Sequence, residues 1–90
     1  MIQVYGIDDC RWCEKTKVLL ETSGKSFSYT EIPDVGKQAF MDGFQVSWPD
    51  SPRTFPRVTK TVIHPETHHP HVQLIGGFDE LVEEVLHERV

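Results

Sequence analysis

Cysteine is scarce in this 90-residue chain: there are two, three positions apart, at Cys10 and Cys13. The lack of widely spaced cysteines excludes the disulfide-stapled scaffold of small secreted domains and fits a reducing compartment. Long apolar runs are missing too. Nothing approaches the ~18 consecutive apolar residues of a membrane span, so no membrane association is expected. Basic residues number 9 against 14 acids, a net charge of −5, and they are not clustered. That argues against nucleic acid as a partner, because neutralising phosphates needs grouped cations. The first ten residues hold acids and no basic stretch, so no export signal is expected and the cytoplasm is the expected location. Repeats, low-complexity tracts and linkers are absent, and one continuous domain over residues 1–90 is expected.

The rest of the composition fits a soluble globular domain, with 38% hydrophobic and 26% charged residues. A chain this short buries only about 60–65% of its unfolded surface, so its stability margin is narrow.

Periodicity lays out the elements. Met1 to Tyr5 alternates as a strand, and Gly6 to Asp9 forms a turn whose acids can cap the next helix. From Arg11 to about Thr22, the residues Trp12, Cys13, Thr16, Leu19 and Leu20 follow one helical stripe, and Gly24 is placed to end it. Phe27, Tyr29 and Ile32 mark a second strand, stopped by Pro33-Asp34. Val35, Ala39, Phe40 and Phe44 return at helical spacing, and Gln45 to Arg53, with Trp48, Pro49 and Pro52, reads as loop. Phe55 to Ile63 and Val72 to Ile75 form a hairpin, which Gly76-Gly77 break. Phe78, Leu81, Val82, Val85 and Leu86 draw the apolar face of a last helix, with Asp79, Glu80, Glu83 and Glu84 in its early turns. The order βαβαββα predicts an α/β fold, a four-stranded mixed sheet flanked by three helices. The helical crossover makes the first two strands parallel, and the hairpin makes the last two antiparallel.

Chemistry concentrates at Cys10-Arg11-Trp12-Cys13. A disulfide inside so short a loop removes little chain entropy and would be a poor structural staple. A helix start, with unpaired N–H groups and the positive end of a dipole, favours a thiolate instead. Arg11 adds to that effect, while Asp8, Asp9 and Glu14 oppose it. Redox chemistry is the first reading and metal binding the other. His64, His68, His69 and His71 gather farther along, but Pro65 and Pro70 make that stretch a loop and no cysteine flanks it, so no metal is expected. The tertiary amide before Pro56 tolerates a cis bond. Gly76 and Gly77 let the backbone approach a ligand closely. The helix start after them offers N–H groups to a carboxylate, and Asp79 can receive an amine. Lys15 and Lys17 read as solvated helix residues, and Trp48 has no evident role.

Three separated motifs together resemble those of glutaredoxins, in the thioredoxin superfamily: Cys10-Arg11-Trp12-Cys13, Thr54-Phe55-Pro56 and Gly76-Gly77-Phe78-Asp79-Glu80-Leu81. The likeness covers nearly the whole chain, and in size and in Gly-Gly-Phe-Asp it looks most like the small glutaredoxins of large tailed bacteriophages. The resemblance implies a thioredoxin-like fold and a glutathione-dependent thiol–disulfide oxidoreductase, monomeric, with no tightly bound cofactor and no metal. Cys10 would attack and Cys13 resolve. Arg11, Trp12, Phe55, Pro56, Gly77, Phe78 and Asp79 would bind glutathione, the co-substrate. Pro56 would be cis and face the thiols, the Phe55 backbone would pair with the substrate's extended chain, and Asp79 would hold the γ-glutamyl end. Family potentials of about −200 to −230 mV suit exchange with a glutathione pool. Protein disulfides are the implied clients, ribonucleotide reductase among them.

The chain departs from the family pattern at some positions. Ile7 stands where many glutaredoxins carry a basic or aromatic residue, and Arg11-Trp12 replace Pro-Tyr. Arg53 or Arg57 would then supply the cation for the glycine carboxylate of glutathione. Ile7 favours an alternative, a glutaredoxin-like redoxin reduced by thioredoxin reductase. Arg11 in place of proline opens another, a [2Fe–2S] cluster held by Cys10 and glutathione across a dimer.

Overall fold

The alternation in Ile2-Gln3-Val4-Tyr5-Gly6 builds the central strand β1 (Ile2–Gly6), which buries Ile2 and Val4 on one face and turns Gln3 and Tyr5 to the other. The structure, a computed structural model, describes residues 1–90. After β1 the chain forms α1 (Arg11–Thr22), β2 (Phe27–Glu31), a 3₁₀ turn (Asp34–Gly36), α2 (Lys37–Ser47), β3 (Arg57–Ile63), β4 (Pro70–Gly76) and α3 (Phe78–Leu86). The sheet order is β2-β1-β3-β4, with β1 and β2 parallel and the β1–β3 and β3–β4 pairs antiparallel. This is the mixed four-stranded α/β architecture that the element order predicts.

Two helices cover one face. Leu20 of α1 and Leu81 of α3 pack on Ile2, Val4, Val58 and Ile75. Burying each leucine contributes about 1.5–3 kcal/mol. Thr16 is buried in the same helix face because its hydroxyl donates to the Trp12 carbonyl at 2.8 Å. A left-handed Gly24 (φ +68°) ends α1, its N–H returning to Glu21 C=O and the Lys25 N–H to Leu20 C=O. Aromatic packing joins α2 to the opposite face. The Phe40 ring lies 5.2 Å from Tyr5, 5.5 Å from Phe44 and 5.8 Å from Phe55. On that face Thr59 donates to Gln3 across the β1–β3 pair at 2.9 Å.

Several boundaries differ from the sequence reading. Val35, expected on the helical stripe, lies in the 3₁₀ turn and is 96% exposed, and Ala39 is exposed as well. The buried positions of α2 are Met41 and Phe44. Gln45 to Ser47, read as loop, belong to α2, because Trp48 packs on Phe44 at 4.7 Å and holds the last turn. Strand β3 starts at Arg57, after the Pro56 bend, and β4 starts at Pro70, two residues early, because the β3 ladder pairs Ile63 with Pro70 and Val62 with His71. The histidine loop shortens to a turn over 64–69.

Two side-chain arrangements tie the elements together. Lys60 on β3 and Arg89 beyond α3 both bind the Glu84 carboxylate of α3. At the end of β1, the Tyr29 hydroxyl of β2 occupies the space a Gly6 side chain would need, and Lys17 of α1 rests over the Tyr29 ring at 4.4 Å.

Candidate active site

The β1–α1 turn delivers Cys10 to the N-cap of α1. Asp9, the residue before it, has a left-handed φ of 52°, a conformation that aspartate tolerates better than most residues. Cys10 is extended (φ −117°, ψ 105°), and its carbonyl accepts the Glu14 N–H at 3.1 Å, the first turn of the helix. Its sulfur takes the part usually played by a capping oxygen, accepting the Cys13 N–H at 3.1 Å. Cys10 is half-buried, whereas Cys13 is 0% exposed. The two are joined as a disulfide, so the structure is the oxidised form. On reduction the same N–H and helix end face a thiolate and stabilise it by a charge-assisted bond. Glu14, the acid nearest in the helix, is paired with Lys17 at 3.0 Å.

A groove of about 350 Å³ opens at the start of α1, where Trp12, between the two cysteines in sequence, forms part of its wall; neither cysteine lines it. Six of the residues singled out for glutathione line it: Trp12, Phe55, Pro56, Gly77, Phe78 and Asp79. Pro52, Thr54, Arg57 and Glu80 complete it. Trp12, 48% exposed, meets Phe78 at 5.4 Å between ring centres, so the starts of α1 and α3 share an apolar wall. Lys15 sits over the outer side of Trp12 at 4.5 Å. The Phe55–Pro56 bond is cis. The Phe55 N–H and C=O pair with nothing in the chain.

Two expected residues are elsewhere. Arg11 lines a neighbouring hollow on the outer flank of α1 with Val18 and Leu19, because the first turn of the helix rotates it away from the groove. Arg53 is bound to α2, 2.9 Å from Asp42 and 2.7 Å from Gln45 Oε1. Of the two candidate cations, Arg57 alone reaches the groove. It is buried, and burial pulls its pKa below the ordinary arginine value while the Glu80 charge pushes back.

The glycines also leave room for side chains of the protein itself. Gly76 has φ +128°, and a side chain there would collide with Glu80. Glu80 is fixed because its carboxylate accepts the Gly77 N–H at 2.8 Å and caps α3. A side chain at Gly77 would meet the Arg57 guanidinium. The protein itself fills the space next to both glycines. Arg57 and Glu80 are the residues hardest to place from sequence. For Glu80 the signal is its position three residues after a helix start; Arg57 is read from sequence as a candidate cation, and nothing beyond its place next to Pro56 signals its burial. The histidine turn lies apart from the groove. His64 N–H donates to His69 C=O and His68 N–H to His64 C=O, and no three histidine, cysteine or acidic side chains converge as a metal site.

No family model matches the chain, and no curated protein sequence does either. Among solved structures it is similar to glutaredoxin 1 from Francisella tularensis, crystallised with cacodylate. The TM-score is 0.72 and the identity 23%, over 98% of this chain and 94% of that one. The chain has the glutaredoxin fold. Within that fold, its Cys-x-x-Cys pair opens the first helix, Pro56 with its cis bond precedes the third strand, and its Gly-Gly turn leads into the last helix. At 23% identity the likeness extends to the fold, and the chemistry has to be derived from the residues themselves.

Proposed function

We propose that the protein is a dithiol glutaredoxin, a glutathione-dependent thiol–disulfide oxidoreductase. The observation that carries this reading is the unequal pair of sulfurs. Cys10 is accessible and capped by an N–H, with Cys13 buried directly behind it. In the oxidised form, a glutathione thiolate attacks Cys10 Sγ. The Cys10–Cys13 bond breaks, its electron pair leaves on Cys13, and a Cys10–glutathione disulfide forms. A second glutathione thiolate attacks the sulfur of the bound glutathione, releasing glutathione disulfide and Cys10 thiolate, which the Cys13 N–H stabilises. Reduced protein then works on a client. Cys10 thiolate attacks the client disulfide and expels one client thiolate. Cys13 next attacks Cys10 Sγ, expels the second and restores the Cys10–Cys13 bond.

The groove supports the same reading. The free N–H and C=O of Phe55 suit a short strand pairing with the cysteinyl part of glutathione or with a client chain. Trp12 and Phe78 give that chain an apolar wall. The N-terminal N–H groups of α3 and the Asp79 carboxylate suit the carboxylate and amine of a γ-glutamyl group. Protein disulfides, ribonucleotide reductase among them, are the clients of this reading, and the working unit is a cytoplasmic monomer.

A second reading, regeneration by thioredoxin reductase, draws on the same groove. With Arg11 and Arg53 outside it, Arg57 is its only arginine, and Ile7 supplies no charge. Reduction of the oxidised protein should be followed with glutathione plus glutathione reductase and, separately, with thioredoxin reductase. Turnover with glutathione supports the first reading. Turnover with the flavoenzyme alone replaces it with the second.

A further inference from the structure

We infer that Arg57 is a positioning residue: its buried guanidinium clamps the Thr54-Phe55-Pro56 bend into the shape that pairs with substrate, and Gly77 is bare so that the guanidinium can lie there. This rests on the proposed role of the groove and accounts for its shape.

Arg57 is 4% exposed and has no carboxylate within ion-pair distance, the Glu80 charge acting on it only from beyond Gly77, although burying a cation without a paired anion is costly. A residue kept only to fill the start of β3 would be apolar. The guanidinium instead directs its donors at the bend. Nε donates to Pro56 C=O at 3.1 Å, Nη1 to Ser51 Oγ at 3.0 Å and Nη2 to Thr54 Oγ1 at 3.3 Å. Thr54 and Pro56 flank Phe55, and Ser51 ties the assembly to the segment after α2. Phe55 makes no backbone hydrogen bond of its own, so the direction of its N–H and C=O is set by its two flanks. One side chain therefore holds both shoulders of the pairing residue. Three acceptors in different directions need a planar fork, which lysine lacks.

Gly77 supplies the second half. Its backbone (φ −104°, ψ −157°) is one that any residue adopts, so conformation does not require glycine there. Space does. A Cβ would sit 2.9 Å from Arg57 Nη2 and 3.6 Å from Pro56 O. Because Nη2 is held by Thr54, it cannot yield without loosening the bend.

The test uses full-length protein, pre-reduced and freed of reductant, in single turnovers with increasing concentrations of a glutathionylated cysteine peptide. Arg57→Met should raise the half-saturating concentration about tenfold and keep the maximal rate within about twofold, the mark of lost positioning in binding. The pH dependence of Cys10 alkylation should not move, since the Cys13 N–H is untouched. Arg57→Lys should not rescue. Gly77→Ala should weaken saturation in the same direction, and adding it to Arg57→Met should do little more, because both disturb one contact. Should Arg57→Met not fold, Ser51→Ala removes one acceptor and should raise half-saturation by about threefold. An unchanged half-saturation in the variant read, or full rescue by lysine, overturns the clamp. Wild-type protein that exchanges and saturates while the variant matches it sinks the clamp alone. Wild-type protein that does not exchange sinks the groove's role and the clamp with it.

Discussion

At the end of the sheet that carries the sulfurs, the irregular segments meet one another through side chains, whereas at the opposite end the β3–β4 turn is fastened to itself. Trp12 at the start of α1 meets Phe78 at the start of α3, and the Arg57 guanidinium, held by Ser51, Thr54 and Pro56, lies beside Gly77. Across the sheet, His64, Glu66, His68 and His69 close their turn with bonds among residues 64–69. Both ends are rich in proline, and non-glycine residues with left-handed backbone occur at both, at Asp9 and His68. Composition alone does not separate them. The separation lies in which segments touch, and loops packed on one another are the ones that can hold reacting groups in place.

Breaking the first end should have the larger effects. Cys10→Ser should lower disulfide exchange by at least about a thousandfold, while Cys13→Ser should accumulate a mixed disulfide visible by mass spectrometry. Exchange surviving in Cys10→Ser would place the nucleophile elsewhere. Gly76→Ala should cost about 2 kcal/mol or more in denaturant unfolding, since it forces positive φ on alanine and drives into Glu80. Gly24→Ala, also at positive φ but with open space around it, should cost about 1 kcal/mol. Equal costs would mean that the Glu80 cap contributes nothing.

The remaining effects are smaller. The hydrogen bond from Arg89 holds the Glu84 carboxyl below its ordinary 4.5, burial opposes it, and Lys60 helps. The unfolded chain therefore binds that proton more readily. The stabilisation is complete above about pH 4.5 and is lost as pH falls through the lower folded value. Glu84→Gln should cost about 1 kcal/mol at pH 7, and the difference from wild type should shrink in acid. A difference that does not vary with pH would refute the linkage. At the self-contained turn, His68→Gly relieves a left-handed φ of 60° and should change stability by less than about 1 kcal/mol in unfolding melts. Exchange rates should stay within about twofold. A large loss of exchange would show that the two ends are coupled after all.

The fold is legible where local pattern and tertiary packing agree. Ile2 and Val4, Thr16 and Leu20, and Leu81 all lie on the faces their spacing predicts. Val35 misleads because a lone apolar residue matches a period that the 3₁₀ turn does not follow. Trp48 is opaque because its partner, Phe44, lies one turn back in a helix whose end the neighbouring prolines disguise. The cis bond before Pro56 is as read in the sequence, and parts of the three motifs (Trp12, Thr54 to Pro56, and Gly77 to Glu80) meet in one groove. Arg57 stands out only as a candidate cation, since a charged residue is by default expected at the surface and its acceptors become visible only when the bend has formed.

The bare α-carbon of Gly6 carries a consequence for the thiols. With the Tyr29 hydroxyl lying across it and the Lys17 ammonium resting on that ring, the end of β1, the edge strand and the helix that bears both cysteines meet at one latch. A methyl group at Gly6 has to push Tyr29 aside or tilt the peptide leading to Cys10. The parallel strand pair and the helix that bears both cysteines therefore share a single fastening.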